Sequence, residues 1–240
     1  MYRVLEKVLM GDNVTLNFHK CYANPKFKEW IDSVLPEVEQ CRRLEQDTPW
    51  HIYNCLDHIL HSVEEINKLT QGYSQKIRKE LLWTMFFHDL GKPKCHIRRY
   101  SEAFGREVDS FYNHNLESEK IFYRAAPYFG INANQLKLIG ALIREHDAFL
   151  SITEKEDGNK HHKVLSKELI KEMVDKFNLV GDGVALMKEL VLVAKADNLA
   201  QNPKLTQNSL SLINKIDRLV EELFKEQKSK KPTHTNLNEK

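Results

Sequence analysis

Phe86-Phe87-His88-Asp89-Leu90-Gly91-Lys92-Pro93 closes a stretch in which Ile77, Leu81, Leu82, Trp83, Met85, Phe86 and Phe87 cover most of a helical circumference. A helix that is apolar on nearly every side belongs in an interior, so a central helix is expected here, with others wrapped around it. The imidazole and carboxylate at its end are then buried together. That is costly unless they are hydrogen-bonded, ion-paired or ligating a metal. Gly91 and Pro93 read as a stop, leaving His88 and Asp89 beside unpaired carbonyls at the negative end of the helix dipole, a favourable place for a cation.

Outward from this run, apolar spacings of three and four predict helices over about 26–43, 50–69, 75–90, 114–128, 132–147, 163–177, 183–200 and 208–227. Only seven prolines interrupt the 240 residues, and the expected class is all-α, a single helical bundle. The stretch from Pro93 to Asn113, with Gly105 and several charges, reads as a loop with a short hairpin, and 151–162 as a second loop. The organisation expected is an N-terminal segment (1–24), one domain (25–226) and a basic tail (227–240). From Lys225 onward five lysines stand against two glutamates without apolar periodicity, which predicts a disordered, solvated tail.

Composition narrows the function by exclusion. A hydrophobic fraction of 41% with 29% charged residues is ordinary for a globular protein, and a formal charge of +2 gives no electrostatic case for a stable DNA complex. No apolar run approaches the roughly 18 residues of a membrane span, so no membrane partner is expected. The start Met1-Tyr2-Arg3-Val4-Leu5-Glu6 lacks a leader-like apolar stretch, and Cys21, Cys41, Cys55 and Cys95 show no C-x-x-C spacing. Free thiols and a cytoplasmic location are expected.

At about 100° per residue, several ligand-type side chains fall on apolar stripes. His146 continues the stripe Leu136, Ile139, Ile143, and Asp197 continues Leu186, Leu190, Val193. His114 shares a face with Ser118, Ile121 and Ala125. His58 flanks the stripe Leu56, Ile59, Val63 on the same side as His51 and Cys55, whereas His61 points the other way. His51 is read either as a supporting or substrate contact or as an ordinary helix-entry residue, and His161 and His162 as incidental loop residues. One inward histidine is more often a satisfied core residue than a ligand. Six such groups (His58, His88, Asp89, His114, His146 and Asp197) are explained together by one metal centre. Imidazoles and carboxylates without cysteine suit Mn, Fe, Co, Ni, Zn or Mg, and six ligands suggest one or two divalent ions.

The order His58, His88-Asp89, His114, His146, Asp197 resembles the HD-domain superfamily of metal-dependent phosphohydrolases. The similarity is greatest to the HD domain of bacterial CCA-adding tRNA nucleotidyltransferases, and it covers roughly residues 30–215. It is carried by Trp50-His51-Ile52-Tyr53-Asn54-Cys55-Leu56-Asp57-His58, His88-Asp89-Leu90-Gly91-Lys92-Pro93, Phe111-Tyr112-Asn113-His114, Leu142-Ile143-Arg144-Glu145-His146 and Ala196-Asp197-Asn198-Leu199-Ala200-Gln201. Asn115 stands where the family often has an acidic residue, and no Gly-rich loop with paired aspartates is found, so CCA addition is not expected.

The resemblance implies an HD-domain bundle around a metal site and a phosphohydrolase acting on a phosphorylated small molecule, a nucleotide or an RNA end such as a 2',3'-cyclic phosphate. Metal-activated water would be the nucleophile. Asp89 and Lys92 are the expected catalytic pair, Lys92 as a charge partner for phosphate three residues beyond Asp89. Arg98, Arg99 and Arg144 are further expected substrate contacts, Arg144 because it lies two residues before His146. The alternative expectation is a non-catalytic HD-fold module that binds or senses a nucleotide or RNA.

Overall fold

The computed structural model describes residues 1–230, with side chains described to Glu226. The chain opens with α1 (Tyr2–Leu9), α2 (Val14–Tyr22), α3 (Pro25–Val34) and α4 (Glu37–Arg43). It continues through α5 (Cys55–Leu69), α6 (Gln75–Phe87) and the single-turn α7 (Lys92–Cys95) to a hairpin of β1 (Ile97–Ser101) and β2 (Arg106–Ser110). Next come α8 (His114–Ala125) and α9 (Ala133–Glu145). A two-residue parallel pairing of β3 (Ile152–Thr153) with β4 (Lys163–Val164) precedes α10 (Lys167–Asn178), α11 (Gly183–Leu199) and α12 (Gln207–Lys230). The architecture is all-α. Among the described residues no helix is long and apolar enough to cross a membrane.

α6 is the axis. Every side chain from Glu80 to Phe87 is buried, and the helix packs on α5, α9 and α11. Its aromatic rings knit the layers together: Phe87 meets Phe122 of α8 edge-on at 5.2 Å, and Trp83 meets Phe129 at 5.3 Å. Truncating one such ring would cost about 3–5 kcal/mol, because transfer energy and cavity add.

Caps set the boundaries and correct several expected ones. Asn54 accepts a hydrogen bond from the Asp57 N–H (2.9 Å), so α5 starts at Cys55 and Trp50–Tyr53 form a turn outside it. Ser166 accepts from the Leu169 N–H, which delays α10 to Lys167. The expected helix over 26–43 is two helices, broken at Leu35-Pro36 where proline has no N–H to donate. The segment 1–24 is not an appendage: Leu5, Leu9, Val14 and Phe18 are fully buried in the common core. The expected disorder from Lys225 gives way to helix as far as Lys230, and the remainder of that tail lies outside the described residues.

Gly91 does a different job from the one its sequence context suggests. Its φ is −78°, which any residue adopts, and the chain passes directly from it into α7 with Pro93 in the first turn. Glycine is required by proximity. A Cβ there would stand 2.3 Å from the His114 carbonyl oxygen and 2.6 Å from the Ser118 nitrogen. The Gly91 N–H donates to Ser118 Oγ at 2.8 Å, clamping the turn after α6 onto the start of α8.

Candidate metal centre

Four histidines converge at the end of α6, and each is aimed by a backbone carbonyl. His88, just past the last turn of α6, donates from Nδ1 to the Met85 oxygen at 2.6 Å. His146 does the same at the end of α9, to Ile143 (2.7 Å), and His114 to Phe111 (2.7 Å). His58 has Nδ1 3.4 Å from the Ala200 oxygen. A carbonyl can only accept, so Nδ1 carries the hydrogen and Nε2 faces inward, free to bind a metal ion or a proton.

The carboxylates receive these lone pairs in two groups. Asp89 Oδ2 lies 3.2 Å from His58 Nε2 and 3.3 Å from His88 Nε2. Asp197 Oδ1 completes this group at 2.9 Å from His58 and 3.6 Å from His88. Asp89 Oδ1 faces the other way, 3.1 Å from His114 Nε2 and 3.7 Å from His146 Nε2. Within each group, one ligand atom per residue can be chosen so that all lie within 4.8 Å of one another, a spacing that could hold a metal ion.

A test of fit comes from atoms left over. His58 Nε2, His88 Nε2 and Asp89 Oδ2 are buried with no hydrogen-bond partner, although each has charged neighbours. Lys92 Nζ, 2.6 Å from Asp89 Oδ2, forms an ion pair with it. Imidazole nitrogens without a hydrogen-bond partner at such depth are costly, and a coordinated cation would satisfy both while sharing the Asp89 charge with Lys92. The donor set of imidazole nitrogen and carboxylate oxygen is one that divalent transition ions accept.

The electrostatics agree. Burial opposes ionisation of Asp89, yet His88 and Lys92 outweigh it and hold the carboxyl well below its usual range. Asp197 is likewise held down, against burial, by His58 and His88. Burial also disfavours charge on His88, but Asp89 and Asp197 raise it to about 10, so a proton on Nε2 and a metal ion compete for the same position. The two aspartates are therefore anions that demand positive charge around them.

Lys92 is buried and pinned by Asp89, by Gln46 Oε1 (2.9 Å) and by His51 Nε2 (3.2 Å). Burial, reinforced by the Lys92 charge, pushes His51 well below its ordinary value, so it is neutral, with its Nδ1 2.7 Å from Thr48 Oγ1. His51 thus supports Lys92. Gln46 was not anticipated; a lone glutamine between helices carries no sequence signal. Nor was Asp147, whose Oδ2 lies 3.1 Å from His114 Nε2. Asn115 donates to the Arg144 carbonyl at 2.6 Å, tying the start of α8 to the end of α9.

No protein-family model matches this chain, and no curated protein matches it.

The centre opens into a cavity of about 370 Å³ whose wall includes Asp89, Lys92, Asp147 and Asp197, with Trp50, Arg99 and Tyr112 toward the mouth. Of the expected arginines, the structure brings Arg99 to this cavity and not the other two. Arg98 is turned away by Asp109 (3.1 Å) and Asp47 (3.0 Å), where it braces the hairpin. Arg144 pairs with Glu119 (2.6 Å) in a separate groove between α8, α9 and α10. The physical reason is simple: two residues along a helix turn by about 200°, so Arg144 and His146 face opposite ways. His61 stacks on Tyr53 at 4.2 Å, apart from the cluster, and His161 and His162 lie in the 151–162 loop.

Proposed function

We propose that this chain is a metal-dependent phosphohydrolase of HD-domain type, acting on a nucleotide or an RNA-end phosphate such as a 2',3'-cyclic phosphate. One observation carries the reading: Asp89 turns its two oxygens toward two different histidine pairs, at the wall of a cavity that also holds a buried lysine. A divalent ion held there supplies Lewis acidity toward a phosphoryl oxygen and makes water nucleophilic near neutral pH. The protein's share is positional. His58, His88, Asp89 and Asp197 form the deeper ligand group, Lys92 brings a fixed positive charge to the side where phosphate charge develops, and Arg99 extends that charge toward the mouth. Trp50 and Tyr112, both exposed, offer flat apolar faces to a base or sugar.

The test is metal analysis of the purified protein joined to a screen of phosphomonoesters and of cyclic and linear phosphodiesters with each candidate ion. Turnover that disappears with a chelator and returns with one divalent metal is expected. Nucleotide binding without turnover under any metal would replace this reading with that of a binding module.

A further inference from the structure

A second chamber, of about 230 Å³, adjoins the metal-centre cavity and shares Trp50, Asp197 and Asn198 with it. Its character is different. The first wall carries Lys92 and Arg99, whereas among the described residues no lysine or arginine lines the second. Its own walls include Phe149, Ile152, Ala194 and Ile213, all buried, with Leu212 beside them. They come from the turn after α9, from β3, and from α11 and α12, which pack on each other.

Apart from the groups of the metal centre, Asn198 and Ser209 are the polar side chains of this chamber among the described residues. Asn198 Nδ2 donates to the Ala194 carbonyl at 2.9 Å. A carbonyl can only accept, so the amide is fixed with its nitrogen there, and Oδ1 has no partner among the described residues. The Ser209 hydroxyl has none either. The space equals about eight waters at their liquid volume, room for one ring system. An alkyl chain filling it would leave the Asn198 oxygen and the Ser209 hydroxyl dry and unpaired, which is costly. A flat ring with a polar edge satisfies both and can lie against the indole of Trp50. We propose that this side chamber is a nucleobase subsite. The substrate is then a nucleotide, rather than a base-free sugar phosphate or an alkyl phosphate, with its phosphate on the side of Lys92 and Arg99 and its base between Trp50 and the α11–α12 wall. The inference rests on the phosphohydrolase reading of the metal centre and names the substrate class for it.

The experiment titrates the full chain, freed of metal so that no turnover intervenes, with the common nucleoside 5′-monophosphates, ribose 5-phosphate and hexyl phosphate. At least one nucleotide is expected to bind at least about tenfold more tightly than either base-free probe, the lower range for one base stacked on an aromatic ring. Leu212→Trp, which fills the chamber from α12, is expected to erase that margin, with circular dichroism checking the fold. Nuclear Overhauser contacts in the wild type place the base without any substitution, and are expected from its ring protons to the methyl groups of Ile152, Leu212 and Ile213. Equal affinity of wild type for nucleotides and ribose 5-phosphate overturns the proposal. So does hexyl phosphate binding as tightly as the best nucleotide, a folded Leu212→Trp that keeps the margin, or a base whose contacts go to Tyr112 and the hairpin instead. A base-dependent margin in a protein that hydrolyses no phosphoester with any divalent ion would sink the phosphohydrolase reading and leave the subsite standing. Hydrolysis of nucleotides and ribose 5-phosphate with equal kcat/KM would do the reverse.

Discussion

The Asp89 carboxylate separates a closed side from an open one. On the closed side, His58, His88 and Asp197 hang from α5, α6 and the end of α11, helices that pack against one another through the apolar core. On the open side, His114, His146 and Asp147 stand at the start of α8 and the end of α9, near the cavity wall. The closed side is a product of the core and cannot move without it. The open side is held by the packing of α8 and α9 on α6 and, at its edge, by local contacts such as the Gly91–Ser118 clamp and the Asn115 hydrogen bond to Arg144. Exposure rises from His58 and His88 (1% and 0%) to Asp147 (28%), with His146 at 2%, His114 at 12% and Asp197 at 14% between them.

The hardest way to break this division is to remove what both sides share. Asp89→Asn keeps the shape and deletes the charge, and should release most bound metal from both sides. On the proposed function, phosphoester hydrolysis should fall at least about 10²-fold, or about 2.7 kcal/mol of barrier. Full metal content by elemental analysis together with full activity would show the dyad to be structural.

A smaller and more selective effect is expected from Gly91→Ala. The added Cβ would stand 2.3 and 2.6 Å from the backbone of α8 and 2.9 Å from the Glu117 Cβ, so α8 has to give way. Urea unfolding should show a loss of about 1–3 kcal/mol, as for other overpacked sites. Mn²⁺ affinity should drop on the open side more than on the closed side, and an equal drop on both would mean that the two are not independent.

The least effect concerns the scaffold of the closed side, where Glu189 of α11 lies close to Glu80 of α6. Burial, with repulsion from Glu80, raises the Glu189 carboxyl from 4.5 to about 7. A raised carboxyl stabilises the fold while protonated, so its contribution is complete below about 4.5 and is lost as pH climbs toward about 7. Glu189→Gln imitates the protonated form. Thermal melts should show it more stable than wild type at pH 8 by about 1 kcal/mol, an order-of-magnitude figure discounted for partial exposure, and level with it at pH 4.5. Metal affinity should not change on either side.

What the sequence disclosed follows the same line of depth. Apolar periodicity marks the core helices, and a polar residue interrupting a stripe is conspicuous, which is why His146 and Asp197 stood out beside the dyad at 88–89. Helix ends were less legible, because caps such as Asn54 and Ser166 act through side-chain hydrogen bonds that periodicity does not register. α1 and α2 are too short for the four-residue repeat of Val14, Phe18 and Tyr22 to stand out alone. The rim was the least legible. Nearness to His146 in sequence is not nearness in space for Arg144, and Asp147 repeats the His-Asp dipeptide of 88–89 at the end of a second helix. Gln46 approaches Lys92 across 46 residues, a distance that no local pattern spans.

The hairpin between α7 and α8 has a further use. Phe104 at its tip meets Trp50 edge-on at 5.4 Å beside the cavity mouth. Of the three tryptophans in the chain, Trp83 is 2% exposed and Trp30 packs against the core, while Trp50 is 44% exposed. The solvent-relaxed, red-shifted part of the intrinsic fluorescence thus originates at the doorway of the site, and the molecule carries its own optical reporter for whatever passes through it.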